Sequence, residues 1–316
     1  MSVSGKVEGR RIDSYLAARF CQYSRSFFQK LISEGRVSLK GRKVKNSSVL
    51  QRGDEIGEGL PAIDKKILPQ DLPIDVLFED EFSITVNKDA ASVVHPAPSQ
   101  PNGTRINAVF GRFRDRVENE DGFYPKVCHR IDKDTTGVIL IGLTETEHAA
   151  ITRQFEDRTV TKKYWAIVEG VVKPEEGEID LPIFFEPMVS KVSVIDHEKG
   201  KHALTLFTVR ERFDSHTLLE LELKTGRTHQ IRIHLASIGH PIICDGDYGC
   251  GEPMFPQDLA GHQHDSLEPV IERQALHSKM LEFAHPLTDE RVRIEAPLKA
   301  DMKSVIELLS QGDKTL

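Results

Sequence analysis

The chain has 316 residues, a length that predicts about two domains. Hydrophobic residues make up 39% of it, which is enough to build a full core. No run reaches the roughly 18 uninterrupted apolar residues that a membrane span needs, and residues 1–13 lack the apolar stretch of a secretory signal. The four cysteines form no CxxC pair, which excludes a disulfide-rich secreted fold, so a cytoplasmic protein without a membrane partner is expected.

The net charge of −7 is unevenly distributed along the chain. Residues 1–60 contain 12 Lys and Arg against 6 Asp and Glu, a net of +6, which leaves −13 for the remaining residues. Such asymmetry is typical of a basic RNA-contacting segment attached to an acidic body. A net charge of +6 also fits an ordinary solvated surface, so charge alone does not separate the two interpretations.

Residues 1–60 have the pattern of a small α+β unit. Apolar side chains at positions 12, 16 and 20 predict one amphipathic helix, and residues 25–33, capped by Ser24, predict a second. Residues 36–39, a turn at 40–43 and a strand from Val44 onward predict a hairpin. Residues 53–56 add a turn and a short strand that close the unit.

This segment resembles a known RNA-binding fold. Residues 9–58 are similar to the S4-like RNA-binding domain in Arg11-Ile12-Asp13, Ser24-Arg25-Ser26, Gln29-Lys30-Leu31-Ile32, Gly35-Arg36-Val37 and Gly53-Asp54. The resemblance implies that the second helix and the loop after it face RNA phosphates, which need positive charge and exposed backbone N–H groups. The cations predicted to bind RNA on this surface are Arg25, Lys30, Arg36, Arg42 and Lys43.

The pattern changes from residue 61 onward. Residues 61–73, with prolines at 61 and 69, predict a linker. After it, a helix capped by Thr144 is predicted from 145 to about 156, and a long loop is predicted at 251–273. Strands are predicted at 74–78, 82–86, 138–141, 164–168 and 218–223.

Two polar clusters border these elements. The first, residues 129–137, runs directly into the strand at 138, where a rigid element can position catalytic groups. The second follows the strand at 218–223 and includes a helix predicted from about 228 to 237, which carries Arg232. A buried guanidinium needs a carboxylate partner, and Asp132 in the first cluster is the candidate.

These clusters carry a second resemblance, because residues 74–298 are similar to the RluA-type pseudouridine synthases. The matching motifs are His129-Arg130-Ile131-Asp132 with Thr135-Thr136-Gly137, Lys162-Lys163-Tyr164-Trp165-Ala166, Thr225-Gly226-Arg227-Thr228-His229-Gln230-Ile231-Arg232, Gly239-His240-Pro241-Ile242, Leu276-His277 and Phe283-Ala284-His285-Pro286. The resemblance implies an α+β catalytic domain with a mixed, largely antiparallel central sheet. The expected organisation is an S4-like domain at 1–60, a linker at 61–73 and the catalytic domain at 74–316.

The resemblance also implies roles for individual residues. Asp132 is implied as the essential carboxylate acting at C1′ or C2′ of the sugar, Arg232 as its partner, and Tyr164 as the ring that stacks on uracil. Arg130 is implied to help displace the flipped base. The predicted substrate contacts are His129, Arg130, Thr135, Arg227 and Gln230. Pseudouridine formation needs no redox step and no metal, so neither a cofactor nor a metal is expected.

The two resemblances together imply an RNA partner, with large-subunit ribosomal RNA ranked first, transfer RNA second, and a monomeric protein. The alternative is a ribosome-assembly factor that keeps the fold and mainly binds RNA. The chain departs from the family pattern in two places: Asp89-Ala90-Ala91 replaces the usual Pro-Ala-Gly, and Cys244 replaces a glycine before Asp245. These departures affect loops around the RNA rather than the catalytic residues.

Two further hypotheses are weaker. His229 and His234 are five residues apart and do not share a helix face, and His262 and His264 lack a third ligand, so a zinc site is not predicted. Residues 129–132 also resemble a kinase catalytic loop, but no Gly-rich phosphate loop or DFG segment accompanies them.

Overall fold

The computed structural model describes residues 9–19, 25–51, 53–58, 67–96, 100–120, 123–186, 192–260 and 266–312. Contacts divide the chain into two compact units, residues 1–67 and 68–316. The predictions for Phe20, Cys21, Ser24, His262 and His264, and for most of the linker, lie outside the described residues. No described helix is both long and apolar enough to cross a membrane.

The N-terminal unit packs two helices against a small sheet. Its elements are α1 (Ile12–Arg19), α2 (Arg25–Ser33), β1 (Val37–Leu39), β2 (Arg42–Lys43) and β3 (Ile56–Glu58). The strands pair antiparallel in the order β2-β1-β3. The apolar spacing that predicted the helices places Ile12 and Leu16 of α1 in one core with Phe28, Leu31 and Ile32 of α2.

The predicted hairpin is present, but its second strand was predicted too late in the chain. Lys40 and Gly41 have φ angles of 48° and 74° and form a two-residue turn, so Leu39 pairs directly with Arg42. Positive φ at both central residues matches the right-handed twist of the flanking strands. The second strand is therefore Arg42–Lys43 rather than a strand beginning at Val44.

The second unit is built on one large sheet. Its elements are β4 (Val76–Glu79), β5 (Ser83–Lys88), α3 (Arg105–Arg112), α4 (Arg114–Asn119), β6 (Phe123–Val127), β7 (Thr136–Thr144), α5 (Glu145–Glu156), β8 (Thr161–Glu169), β9 (Glu176–Asp180), β10 (Ile183–Phe184), β11 (Val194–Ile195), β12 (Leu204–Arg212), β13 (His216–Leu223), α6 (Gln230–Ser237), α7 (Pro256–Ala260), β14 (Leu276–Ala284), β15 (Arg291–Glu295) and α8 (Ala300–Gly312). Within the described ranges, ten strands form a sheet in the order β4-β5-β7-β14-β8-β13-β12-β9, with β6 beside β7 and β15 beside β14. Every pairing in this sheet is antiparallel except that between β7 and β14. The predicted α+β class with a mixed, largely antiparallel sheet is confirmed.

Helices cover the apolar faces of this sheet. One cluster joins β8 and β13 to Ile231 and Leu235 of α6 and to Met302 and Val305 of α8. A second joins β7 and β14 to Ile151 of α5. Every residue of β7 except the last is buried, as expected for a strand enclosed on both faces. The helix after Thr144 is confirmed, although the Thr144 side chain makes no capping hydrogen bond.

The parallel contact between β7 and β14 fixes where the first polar cluster ends. Thr136 pairs with His277 and Gly137 with Ser278, and Thr136 Oγ1 lies 2.8 Å from His277 Nδ1. Gly137 has a φ of 107°, and a β-carbon there would lie 2.2 Å from the Ser278 carbonyl oxygen. Only glycine allows this approach. The contact brings the loop before β7 beside β14 and, across it, β8.

The predicted loop at 251–273 is more ordered than expected where it is described. It contains α7, and Met254 bridges Ile271 in antiparallel pairing. The proline-rich composition at 253–256 concealed this short helix, because proline is well tolerated in the first helical turn.

Candidate active site

Asp132 lies in the loop between β6 and β7, at the floor of a cleft. Its backbone carbonyl accepts a hydrogen bond from Thr135 N at 3.2 Å, which closes a turn. The carboxylate keeps 22% of its surface exposed and faces the cleft. Its Oδ2 lies 3.6 Å from Arg232 Nη1, and its Oδ1 lies 4.0 Å from His229 Nε2. The predicted proximity of Asp132 to Arg232 is therefore present in the structure.

A buried lysine supports this loop from below. Lys88, at the end of β5, is 1% exposed, and its Nζ donates to the carbonyls of Lys133 at 2.6 Å, Thr135 at 2.8 Å and Asp89 at 3.0 Å. All three ammonium protons are thus used. Burial lowers the pKa of Lys88 to about 8, although the charges of Asp134 and Asp132 oppose the shift. No role was predicted for Lys88.

Residues just before β14 hold the same loop from the other side. Arg273 Nη1 donates to the Asp134 carbonyl at 3.3 Å, and Gln274 Nε2 donates to Thr135 Oγ1 at 3.2 Å. Arg273 is itself fixed by hydrogen bonds of 2.7 and 2.9 Å to Asp301 of α8. Thr135 is 1% exposed, so its predicted substrate contact is not what its position favours; it anchors the loop instead.

Arg232 on α6 has a stronger partner than the predicted Asp132. Its Nε and Nη2 donate to the two carboxylate oxygens of Asp245, both at 2.6 Å, and Nη2 also donates to Asp247 at 2.7 Å. Asp245 is fully buried and Arg232 is 5% exposed. Burial alone would lower the pKa of Arg232, but these carboxylates outweigh it and raise the pKa. The bidentate pair leaves Nη1 directed at Asp132.

Helix α6 begins two residues later than predicted. His229 has a φ of 56°, in the left-handed region, so Thr228 and His229 precede the helix and the predicted helical faces hold only from Gln230 onward. His229 Nδ1 lies 3.0 Å from Tyr248 Oη, which accepts a hydrogen bond from Ser193 N at 2.6 Å. This chain of contacts turns the other nitrogen of His229 towards Asp132.

Tyr164 on β8 is buried at one wall of the cleft. Burial raises the pKa of its phenol to about 12, a hydrogen bond with Ser278 opposes the shift, and the Asp132 charge adds to it. The phenol is therefore protonated at neutral pH. Because Tyr164, Asp132 and Arg232 line the same cavity, the structure brings the three predicted catalytic residues together.

Two predicted substrate contacts have structural partners. His129 Nε2 accepts a hydrogen bond from Leu140 N at 3.0 Å, and its ring stacks on Phe155 with centroids 4.9 Å apart. Burial, with a smaller effect from Lys162, lowers the pKa of His129 to about 3, so the ring is neutral.

Gln230 uses its whole amide within the protein. Its Oε1 accepts from Thr225 Oγ1 and from the Arg227 amide, while its Nε2 donates to Leu204 O and Thr205 Oγ1. A direct substrate contact would have to displace one of these bonds. The contacts give Gln230 a positioning role in place of the predicted substrate contact.

The cleft has a volume of about 420 Å³, within the usual range for a small-ligand site. Around it stand the basic side chains of Arg130, Arg158, Lys162 and Arg227. Arg130 is exposed, as a base-displacing residue would have to be. The overall acidic charge of residues 61–316 therefore does not extend to the rim of the cleft, which is basic.

The two departures from the family pattern line one neighbouring cavity, together with Asp134 and Arg273. Ala91 has a φ of 54° and Cys244 a φ of 58°. Each therefore adopts the left-handed conformation that glycine adopts at little cost. These positions keep the backbone shape that a glycine would favour.

The described cysteines behave as the sequence predicted, and no cluster of ligands accompanies them. Cys128 is buried, and burial raises the pKa of its thiol to about 12. Within the ranges given above, no group of three or more His, Cys, Asp and Glu side chains is arranged to hold a metal ion.

In the N-terminal unit, the five cations predicted to bind RNA are all exposed. Two of them have protein partners. Arg25 Nε donates to the buried carboxylate of Asp13 at 3.0 Å, and Lys30 lies 3.9 Å from Glu34. Burial opposes the shift, but hydrogen bonds from Arg11, Gln29 and Arg25 hold the pKa of Asp13 well below its usual range. Arg25 thus also ties α2 to α1.

Comparison with known proteins matches both units. The model of the RNA pseudouridylate synthase family matches residues 83–237, and that of the S4 domain matches residues 10–56. An uncharacterised RNA pseudouridine synthase of Bacillus subtilis is 36% identical over 315 residues, covering 99% of this chain and 98% of the relative. The chain belongs to the RNA pseudouridine synthase family. It is therefore an RNA-modifying enzyme that carries an S4 domain.

Further relatives agree with this assignment. The ribosomal large subunit pseudouridine synthase D of Xylella fastidiosa is 36% identical over 316 residues, covering 98% of this chain and 92% of the relative. The solved structure of human RNA pseudouridylate synthase domain containing 4 matches with a TM-score of 0.59 at 24% identity. It covers 75% of this chain and 93% of the human chain, which shows the shared fold.

Proposed function

We propose that this synthase isomerises uridine in large-subunit ribosomal RNA, with Asp132 as the catalytic carboxylate. The observation that carries the proposal is the position of the Asp132 carboxylate. It is partly exposed on the floor of the cleft, 3.6 Å from an Arg232 guanidinium that Asp245 holds in place. The carboxylate acts on the sugar, either as a nucleophile at C1′ or as a base at C2′.

The surrounding residues supply what the reaction needs. The N1–C1′ bond breaks, the uracil turns while it remains bound, and C5 joins C1′ with loss of the C5 proton. The ring of Tyr164 holds the detached uracil by stacking, a contact commonly worth about 1–3 kcal/mol per base. Arg130, exposed beside Asp132, occupies the space from which the target base has flipped.

Arg232 keeps the carboxylate charged and oriented during these steps. Its three nearest carboxylates are Asp245, Asp247 and Asp132, and only Asp132 lies open to the cleft. A guanidinium fixed on two sides cannot follow the substrate, so it presents one constant charge to Asp132. The preorganised arrangement lowers the cost of placing charge at the reacting sugar.

The choice of RNA rests on the relatives and on the N-terminal unit. Several similar synthases are named for the large ribosomal subunit, and an S4 domain precedes the catalytic unit. The exposed cations of that domain supply phosphate contacts: Arg25, Lys30, Arg36, Arg42 and Lys43. Transfer RNA is the second candidate, and we retain a cytoplasmic monomer as the expected form.

The test is tritium release from RNA that contains 5-tritiated uridine, followed by mapping of the modified position. We expect wild-type enzyme to release tritium from large-subunit ribosomal RNA in EDTA, and Asp132→Asn to release none. Asp134→Asn is the matched control, because Asp134 is two residues away and lines the neighbouring cavity. The control should keep most of the activity.

Other results would change the proposal in defined ways. Release from transfer RNA alone would replace the substrate and keep the chemistry. Equal release by wild type and Asp132→Asn would remove Asp132 from its role. Tight RNA binding without release from either RNA would favour a ribosome-assembly factor.

A further inference from the structure

The basic rim of the cleft contains charge that the proposed chemistry does not use. Asp132, Tyr164, Arg232 and Arg130 account for the sugar, the base and the flipped position. Two further cations line the same cavity: Arg158, which follows α5, and Lys162, near the start of β8.

Lys162 occupies a defined position between two walls of the cleft. A β-carbon on Gly226 would lie 3.8 Å from Lys162 Nζ, so the ammonium rests against the turn between β13 and α6. Its residue is partly buried, yet the ammonium makes no hydrogen bond and no ion pair within the part of the chain that the structure describes. A half-buried cation of this kind is unusual, because lysine normally keeps its charge in water or paired.

The adjacent lysine behaves differently. Lys163 faces the opposite side of the sheet, where its Nζ lies 2.7 Å from Glu220. Burial, together with the nearby charge of Arg158, lowers the pKa of Lys162. Two unneutralised cations beside one another repel, and an anion bound between them would remove that cost.

The strand geometry indicates which part of an RNA substrate would supply the anion. Lys162 and Tyr164 are two residues apart on β8 and both line the cleft. Side chains at this spacing lie on one face, roughly 6.6 Å apart along the strand. A nucleotide whose base stacks on Tyr164 therefore has its sugar and phosphate, rather than a second base, available to Lys162.

We propose that Lys162 and Arg158 form a phosphate-binding subsite that holds one backbone phosphate beside the flipped uridine. The inference rests on the proposed function, because the anion is the substrate's own backbone. Lysine acts here as a compact point charge and Arg158 adds a second donor group from the other wall. The subsite fixes the backbone while the base turns on Tyr164.

The test compares Lys162→Gln with Lys163→Gln in equilibrium RNA binding and in single-turnover pseudouridine formation. A lost charged contact corresponds to roughly a tenfold loss of affinity or more. We expect Lys162→Gln to bind RNA about tenfold more weakly, with a smaller fall in the saturated rate, and Lys162→Arg to recover most of the loss. The slope of log affinity against log salt should decrease by about 0.7 to 0.9, the value for one phosphate contact. Lys163→Gln should match wild type in both measurements.

A second measurement identifies the phosphate. Neutral methylphosphonate linkages are placed singly on each side of the target uridine. Wild-type enzyme should lose affinity at one linkage, and Lys162→Gln should lose nothing more at that linkage. Additive losses at every linkage, or a Lys162→Gln salt slope equal to that of wild type, would overturn the subsite. Absence of turnover by wild type would overturn the proposed function instead, while the binding slopes would still decide the subsite.

Discussion

The pair between Arg232 and Asp245 makes a sharp prediction about stability, tested by Asp245→Asn. Asp245 is fully buried and accepts four hydrogen bonds: two from the Arg232 guanidinium at 2.6 Å, one from Asp247 N at 3.0 Å and one from Tyr248 N at 3.2 Å. Asparagine keeps the shape of the side chain but removes the charge and turns an N–H group towards other donors. The buried guanidinium then lacks its main counterion.

The expected loss follows from this arrangement. Breaking a buried ion pair by removing one partner costs about 3–5 kcal/mol, because the remaining charge stays desolvated. At about 2–4 °C per kcal/mol for a unit of this size, the melting temperature should fall by roughly 6 to 20 °C. Activity should fall as well, since Arg232 Nη1 would no longer be held 3.6 Å from Asp132.

Urea unfolding followed by tryptophan fluorescence measures this loss in the correct unit. Trp165 is the single tryptophan of the chain and lies on β8, so its signal reports on the catalytic unit. Asp247→Asn is the matched control: Asp247 also contacts Arg232 but is 43% exposed, so its loss should stay below about 1 kcal/mol. Equal effects of the two substitutions would refute the claim that Asp245 is the principal counterion.

Three further predictions concern the loop, the stacking ring and the backbone. Lys88→Met should lower turnover several-fold at pH 7, because the carbonyls of residues 133 and 135 lose their shared donor. Since the pKa of Lys88 is lowered to about 8 from an ordinary 10.5, wild-type turnover should fall as the pH rises through 8. Its unfolding free energy should rise between pH 8 and 10.5, where the unfolded chain binds the extra proton, and Lys88→Met should show neither change. Tyr164→Phe should bind substrate RNA nearly as well as wild type, whereas Tyr164→Ala should bind about 5- to 100-fold more weakly; equal affinities of the two variants would argue against stacking. Ala91→Gly should raise the unfolding free energy by about 0.5–1 kcal/mol in urea unfolding, because Ala91 has a φ of 54°; Ala90→Gly, the control at a position without a positive φ, should bring no gain.

The parts of the fold that could be predicted depend on periodic patterns. Apolar spacing identified α1, α2 and α5, and alternation identified β13, because each pattern reports which face is buried. The hairpin at 40–41 and the start of α6 were misplaced, since both depend on positive φ at Lys40 and His229. Neither residue type signals that conformation as glycine does.

The candidate site was predictable only where residues lie in dense polar motifs. Asp132, Tyr164 and Arg232 belong to such motifs and line one cavity. Asp245 and Lys88 were missed because each is a single charged residue whose partner is distant in sequence. The one available signal was the charge itself: Lys88 ends a strand of six buried residues, where an unpaired lysine would be very costly.

The contacts that hold the Asp132 loop determine when the enzyme can become active during its own synthesis. Arg273, Gln274 and His277 all contact residues 134–136, yet they are translated long after them. The N-terminal unit, by contrast, needs nothing beyond its last strand, β3, to complete its core. On the ribosome, the nascent chain therefore acquires an RNA-binding module first, and its catalytic loop stays unsupported until the residues at 273–277 emerge.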